Sequence, residues 1–228
     1  MQLNADLSQR AVMRSAQLDW VPSPAAGIHR KMLERDGEEV ARATSIVRYA
    51  QGSQFPTHTH GGGEEILVLE GVFEDEYGSH PAGTYLKNPV GSAHAPSSGP
   101  GCVLFVKLRH LDARDTQRVC VHWPSATWRQ GLVPGLKVLP LDEFETQHTA
   151  LVRWAPGTVF NLHRHMGGEE IFIIEGSLQD EHGTYHAGDW IRSPHFSTHA
   201  PSSPGGCLIY VKTGHLLGAV ERLGSSPA

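Results

Sequence analysis

The sequence predicts an all-β protein made of two tandem copies of one barrel or sandwich unit. Over most of its 228 residues the chain repeats itself at an offset of 105, and at 108 in its leading segment. Within each copy, short β-rich runs alternate with glycine and proline punctuation at the spacing of antiparallel strands. No long stretch shows the apolar period of an amphipathic helix.

Taken in order, Gln9-Arg10, Trp20, Gly27 and Leu33 recur 108 residues later as Gln117-Arg118, Trp128, Gly135 and Leu141. From Thr44-Ser-Ile-Val-Arg48-Tyr against Thr149-Ala-Leu-Val-Arg153-Trp the offset is 105, so the first copy carries three extra residues between Leu33 and Thr44. That interval contains Arg35-Asp36-Gly37-Glu38, a turn signal, and reads as a longer hairpin. Strands are expected at 41–49, 64–70, 84–88 and 102–108, with counterparts after Thr146, Glu169, Asp189 and Cys207. In the 64–70 run, Ile66 and Val68 share one face while Leu67 and Leu69 share the other, which calls for cover on both sides. One face would fill its own barrel; the other would meet the second copy or another subunit, so a homodimer is an expectation. The repeat divides the chain into domains at 1–112 and 113–228, with a frayed end over the small, polar residues 224–228.

The chemistry lies in one constellation written twice. His58 and His60 alternate with Thr59, so in an extended strand their side chains point the same way. Glu64 keeps that parity and Glu65 does not, although a bulge in the intervening glycines would reset it and make Glu65 the ligand. His94 follows in a second segment, Gly83 to His94. His163, His165, Glu169 and His199 stand 105 residues beyond His58, His60, Glu64 and His94, with Glu170 matching Glu65. Three imidazoles and a carboxylate suit a borderline divalent ion such as Fe, Mn, Ni, Zn or Cu, one per copy. Surface histidines in a polar loop would explain one such pair; they do not explain two matching sets of four.

The pattern Gly-x5-His-x-His-x3-Glu-x6-Gly, carried by Gly52, His58, His60, Glu64 and Gly71 and again by Gly157, His163, His165, Glu169 and Gly176, resembles the first cupin motif. Gly83, Pro89, Gly91 and His94 resemble the second. In the second copy Phe196 takes the place of Gly91, and Ser98 and Ser203 stand where the family often has Asn. The chain is thus similar to bicupins, two tandem double-stranded β-helix (jelly-roll) barrels. The His-x-His-x-Gly-Gly-Glu-Glu form most resembles ChrR-type cupins, a group that includes the cupin-like domain of ChrR anti-sigma factors and dioxygenases of acetylacetone and dihydroxyacetophenone. The resemblance implies a metal-dependent dioxygenase that takes a small ketone or β-diketone as its enolate and cleaves a carbon–carbon bond. The alternative it implies is a metal-bound sensor or regulator. The His-x3-Cys-x2-Cys zinc motif that marks the sigma-binding domain of such factors is absent from the sequence.

Composition sets the outer bounds. Hydrophobic residues at 39%, charged residues at 19% and a net charge of −5 are ordinary for a globular protein, and no basic face points to nucleic acid or anionic membrane. No apolar stretch reaches the length of a signal peptide core or a membrane span, so a cytoplasmic protein is expected. Cys102, Cys120 and Cys207 form no Cys-x2-Cys pair, and Cys102 and Cys207 read as small buried strand residues. A small-molecule ligand is the partner to expect. With zinc, four protein ligands complete a tetrahedron and the site is structural; with an octahedral ion two positions stay open for chemistry. No catalytic residue beyond the ligands is identified.

The remaining conspicuous residues carry weaker expectations. His80, His182 and His186 read as exposed turn residues, His195 as a neighbour of the second site, and His110 and His215 as strand-end caps. Arg48 and Arg153 are either carboxylate anchors or structural charges. Tyr49 and Trp154 read as core. Because Val90, Gly91 and Thr59 become His195, Phe196 and Arg164, the second pocket is expected to be narrower and more polar at its mouth.

Overall fold

The computed structural model describes residues 1–216, so the frayed end expected at 224–228 lies outside the described residues. The expected strands are present, several with the anticipated bounds: Ala41–Tyr49, Thr84–Asn88 and Cys102–Leu108. The Glu64–Asp75 strand runs five residues further than expected, as does its counterpart Glu169–Asp180. The longer first hairpin joins Ile28–Gly37 to Ala41–Tyr49, with Gly37 paired to Ala41. Among the described residues no helix is long and apolar enough to cross a membrane.

In the first unit the main sheet has the order Gln2–Leu3, Ile28–Gly37, Ala41–Tyr49, Cys102–Leu108, Glu64–Asp75, Thr84–Asn88, Val119–His122. In the second it is Arg129–Gln130, Leu136–Phe144, Gln147–Trp154, Cys207–Thr213, Glu169–Asp180, Trp190–Ser193, Ala11–Met13. All pairings are antiparallel, and non-sequential neighbours give the jelly-roll order.

The compact units do not follow the contiguous division at 112/113. One comprises Met1–Ala5 with Leu18–Ala126; the other comprises Asp6–Gln17 with the chain from Thr127 on. The reason is a reciprocal exchange of edge strands. Ala11–Met13, which opens the first repeat, pairs with Trp190–Ser193, and Val119–His122, which opens the second, pairs with Thr84–Asn88. Each arm satisfies backbone groups that an open sheet edge would leave bare.

Each unit has its own apolar core. Ile66, Val68, Leu86, Leu104 and Tyr49 cluster in the first, and Ile171, Ile173, Ile191, Ile209 and Trp154 in the second. The other face of the long strand is buried as well, with Leu67 and Phe172 each 1% exposed, in accord with a strand apolar on both sides. Cys102 and Cys207 are buried free thiols and Cys120 is exposed.

The long strand bends where the motif glycine stands. A Cβ on Gly71 would lie 2.0 Å from the Gly101 carbonyl oxygen, and one on Gly176 would lie 2.2 Å from that of Gly206. Only glycine admits this approach, at φ 71° and 72°. Beyond the bend, Phe73 to Asp75 leave the main sheet to pair with Gly78–Pro81, which brings Asp75 behind the metal-ligand candidates.

Candidate metal centres

His58–Thr59 pairs with Ala93–His94 so that His58 and His94 are direct partners, and His163 and His199 are paired in the same way. The strand is short, and hydrogen bonds continue its geometry: His60 N donates to Ser92 O (2.8 Å) and His165 N to Ser197 O (2.9 Å). The side chains of His58, His60, Glu64 and His94 converge, their donor atoms all within 4.8 Å of one another, and His163, His165, Glu169 and His199 do the same. Glu65 lies on the opposite face, where its Oε1 accepts from the Tyr85 hydroxyl at 2.8 Å; Glu170 lies beside His215, 3.5 Å away. The glycines therefore do not reset the parity, and the carboxylates brought to the clusters are Glu64 and Glu169.

The donor sets fit a divalent ion. Nε2 of His60, His94 and His165 and Oε2 of Glu169 are buried with no hydrogen-bond partner among the described residues, an arrangement that costs about 1–3 kcal/mol per group unless something fills it. The Nε2 to Oε2 separations within each cluster are 3.4 and 3.5 Å in the first and 3.6 and 3.5 Å in the second. Ligands about 2.1 Å from one ion lie roughly 3.0–3.4 Å apart, close to what is seen.

Hydrogen bonds behind the rings aim the lone pairs inwards. His58 Nδ1 donates to Pro56 O and His163 Nδ1 to Asn161 O, each at 2.9 Å; a carbonyl only accepts, so Nε2 is the free nitrogen. His94 Nδ1 faces Asp75 Oδ2 at 3.5 Å and His199 Nδ1 faces Asp180 Oδ2 at 3.3 Å. Such carboxylates fix the tautomer and raise the basicity of a ligand. Burial, with repulsion from neighbouring histidines, holds His60 and His165 down to about 3, so both are neutral and ready to coordinate. Burial raises Glu64 and pushes Glu169 up to about 7, offset in part by His94 and His199. For Asp75 and Asp180 burial acts upwards as well, but hydrogen bonds from His94 and His80, and from His199 and Tyr185, outweigh it and hold both at about 2.

Several of these supports escape a search for ligands. Asp75 is also held by His80 (3.0 Å) and Arg118 (3.4 Å), and Asp180 by Tyr185 (2.9 Å) and Arg10 (3.8 Å). His80 is thus buried and functional in position, not an exposed turn residue, because the bent strand carries Asp75 to it. Each arginine arrives on an exchanged arm. The signal available in the sequence is identity between copies: Asp75 matches Asp180 and Arg10 matches Arg118. Asn88 Nδ2 donates to Glu64 Oε2 (3.1 Å), whereas Ser193 at the equivalent position leaves Glu169 Oε2 unpartnered. His182 and His186 are exposed as expected. Arg48 and Arg153 stack on Trp20 (4.3 Å) and Trp128 (5.0 Å), away from both clusters, which selects the structural reading over the anchor.

Each cluster opens on a cavity, ≈ 330 Å³ in the first unit and ≈ 400 Å³ in the second. Tyr49, Phe55, Ile66, Leu104 and Val106 line the first, and Trp154, Phe160, Ile171, Ile209 and Val211 the second. Tyr49 and Trp154 are core residues whose inner faces border these cavities. The mouths differ, though not as the substitutions alone suggest. Leu132 and Met166 stand at the second mouth in place of Pro24 and Gly61, and Phe196 turns outwards, 53% exposed. Phe196 points away from the opening it was expected to narrow, whereas Arg164 lines that opening and gives it the expected charge among apolar neighbours.

Two segments, residues 8–112 and 116–217, match the family model of the ChrR cupin-like domain. The chain belongs to that family. This bicupin also resembles solved structures at the level of fold. A candidate dioxygenase from Nostoc punctiforme superposes with a TM-score of 0.75 at 15% identity, over 90% of this chain and 82% of its own. A candidate glyoxylate-induced protein from Pseudomonas aeruginosa gives 0.73 at 15% identity, over 93% and 90%. A serine-to-alanine variant of Bacillus subtilis oxalate decarboxylase gives 0.64 at 14% identity, over 90% and 77%. No curated protein matches the sequence.

Proposed function

We propose that this bicupin binds one divalent metal ion per unit, through His58, His60, Glu64 and His94 and through His163, His165, Glu169 and His199, and acts as a metal-dependent oxygenase of small ketones or β-diketones. The observation that carries the reading is that three imidazoles and one buried carboxylate meet at the wall of an apolar cavity of small-molecule size. An octahedral iron, manganese or nickel ion would supply Lewis acidity and redox chemistry with two positions left for substrate and dioxygen.

The residues around the ion have separable tasks. Asp75 and Asp180 hold a proton on Nδ1 of His94 and His199 and so orient both rings. Ile66, Leu104 and Val106, with Ile171, Ile209 and Val211, exclude water from the reacting groups. Trp154 is 6% exposed, and its indole N–H has no acceptor among the described residues. A ketone oxygen in the second cavity would satisfy it. Tyr49, its equivalent, is kept protonated by burial, above the range of any ordinary pH, and offers a hydroxyl donor to the first cavity.

The Nostoc punctiforme neighbour supports an oxygenase; the ChrR family description supports the second reading, a metal-bound sensor of a small ligand. Oxygen uptake by the Fe(II)-loaded protein with β-diketones and hydroxyacetophenones, beside a Zn-loaded control, separates them. Uptake with iron alone, abolished by Glu64→Ala with Glu169→Ala, is the expected result. Silence across the panel in protein that holds zinc tightly as purified would overturn the enzyme and favour the sensor.

A further inference from the structure

Two residues near the candidate metal centres sit in a conformation that their chemistry disfavours. Arg109 has φ 61° where the other repeat has Gly214 at φ 77°; Phe196 has φ 65° where the other repeat has Gly91 at φ 84°. The backbone is otherwise the same in both copies. Arg109 N donates to Gly63 O as Gly214 N does to Gly168 O, and Gly91 N donates to His60 O as Phe196 N does to His165 O. Glycine evidently suffices for each turn, and a side chain there is strained. Neither side chain is buried in a core; both are exposed. Each repeat thus carries one strained, exposed residue near its site: in the first a charged one that lines the cavity, in the second an aromatic one that turns away from the opening.

Arg109 lines the first cavity and makes no ion pair among the described residues. Its guanidinium lies over Gly61: a Cβ there would come within 3.0 Å of Nη1, and one on Gly62 within 2.7 Å of the Arg109 Cα. The second repeat reverses the pair, with Met166 opposite Gly214. Of the other cations around the first opening, Arg30 and Arg35 both face Glu39, at 3.1 and 4.0 Å, so Arg109 is the one with no carboxylate partner among the described residues.

We propose that Arg109 is a specificity-determining anion anchor, and that the first cavity takes a ligand with a carboxylate. This deepens the proposed function and rests on it for the chemistry at the ligand's other end; the anion contact itself does not depend on the metal.

Acetylpyruvate, which is acetylacetone with one terminal methyl replaced by a carboxylate, and its methyl ester are suitable probes. Both would be titrated calorimetrically into the purified protein, with metal content measured on the same samples, for wild type and the variants Arg109→Met, Arg109→Gly and Arg109→Lys. Methionine keeps the cover over Gly61 without the charge, glycine restores the residue the turn favours, and near-ultraviolet circular dichroism reports the fold. The wild type should bind the acid about tenfold or more tightly than the ester, a charge-assisted contact. Arg109→Met and Arg109→Gly should lose that preference with ester affinity unchanged, and Arg109→Lys should keep part of it. Equal affinities in wild type, a preference that survives in both uncharged variants, or no binding of either probe would overturn the proposal. A preference that depends on Arg109 in protein that takes up none of the supplied divalent ions would uphold the anchor and count against the metal reading. Oxygen uptake with acetylacetone but no acid preference would do the reverse.

Discussion

The two metal-site candidates are nearly identical at their centres and unlike at their edges. Rings, carboxylate, backing aspartate and arm-borne arginine coincide, down to ring separations of 4.6–5.0 Å in the first and 4.7 Å in the second. At the edge Arg109, Gly61 and Gly91 face Gly214, Met166 and Phe196. The position behind the carboxylate also differs, Asn88 in one and Ser193 in the other. Constraint is greatest where four atoms must meet at one point; a rim that touches only a ligand is free to change.

The largest effect expected concerns the centres. His94→Ala and His199→Ala should each reduce metal content from about two to about one per chain, read by elemental analysis, since three ligands hold a divalent ion much less firmly. Loss of both ions from either variant would mean that the sites are not separate. His58→Ala and His163→Ala should each cost one ion too, yet differ in residual activity because the rims differ; equal activity would make the rims irrelevant to catalysis.

Next in size come the supports. Asp75→Asn and Asp180→Asn should each weaken metal binding at their own site by about 10–100-fold, measured by competition with a chromogenic chelator. A much larger loss in one would break the equivalence of the centres.

The pH dependence is smaller and tests Asn88. In the metal-free protein Glu169 is raised to about 7 by burial, so its contribution to stability is full below about 4.5 and is lost as pH rises through 7. His165, depressed to about 3, works in the opposite sense: its contribution is full above about 6.5 and is lost as pH falls towards 3. Metal binding needs ionised Glu169, so affinity at the second site should climb through pH 7. The hydrogen bond from Asn88 favours the Glu64 carboxylate, and the first site should keep its ion to lower pH. Asn88→Ser should bring the two titrations together; if they already coincide in the wild type, Asn88 has no such role.

The smallest effect is on stability. Arg109→Gly and Phe196→Gly should each stabilise the fold by about 1 kcal/mol in thermal melts, because glycine tolerates positive φ. Destabilisation by Phe196→Gly would show that the ring's contact with His195, at 3.7 Å between centroids, outweighs the strain, and destabilisation by Arg109→Gly would show the same of its cover over Gly61.

These contrasts mark what the sequence could disclose. The repeat and the His-x-His parity follow from chain periodicity alone, so both barrels and all eight candidate ligands were legible. Asp75 was not, because it reaches His94 only through the bend at Gly71, eleven residues past Glu64. Nor was the exchange of arms: an offset of 108 says that residues 9–20 and 117–128 are alike, not which sheet each one joins. The rim misled because a Gly→Phe change says how much bulk is added and nothing about whether the ring turns inwards.

The exchanged strands also make the two units unequal during synthesis. Val119–His122 leaves the ribosome soon after Thr84–Asn88, so every strand of the first sheet exists once residue 122 has been made. The second sheet must wait: Ala11–Met13 is made near the start, and its partner Trp190–Ser193 follows nearly the whole chain later, on the order of ten seconds or more at about 5–20 residues per second. Until then the early strand has no edge to join. A nascent chain stopped near residue 126 holds a complete first unit, while the second can never be assembled from its own half of the chain.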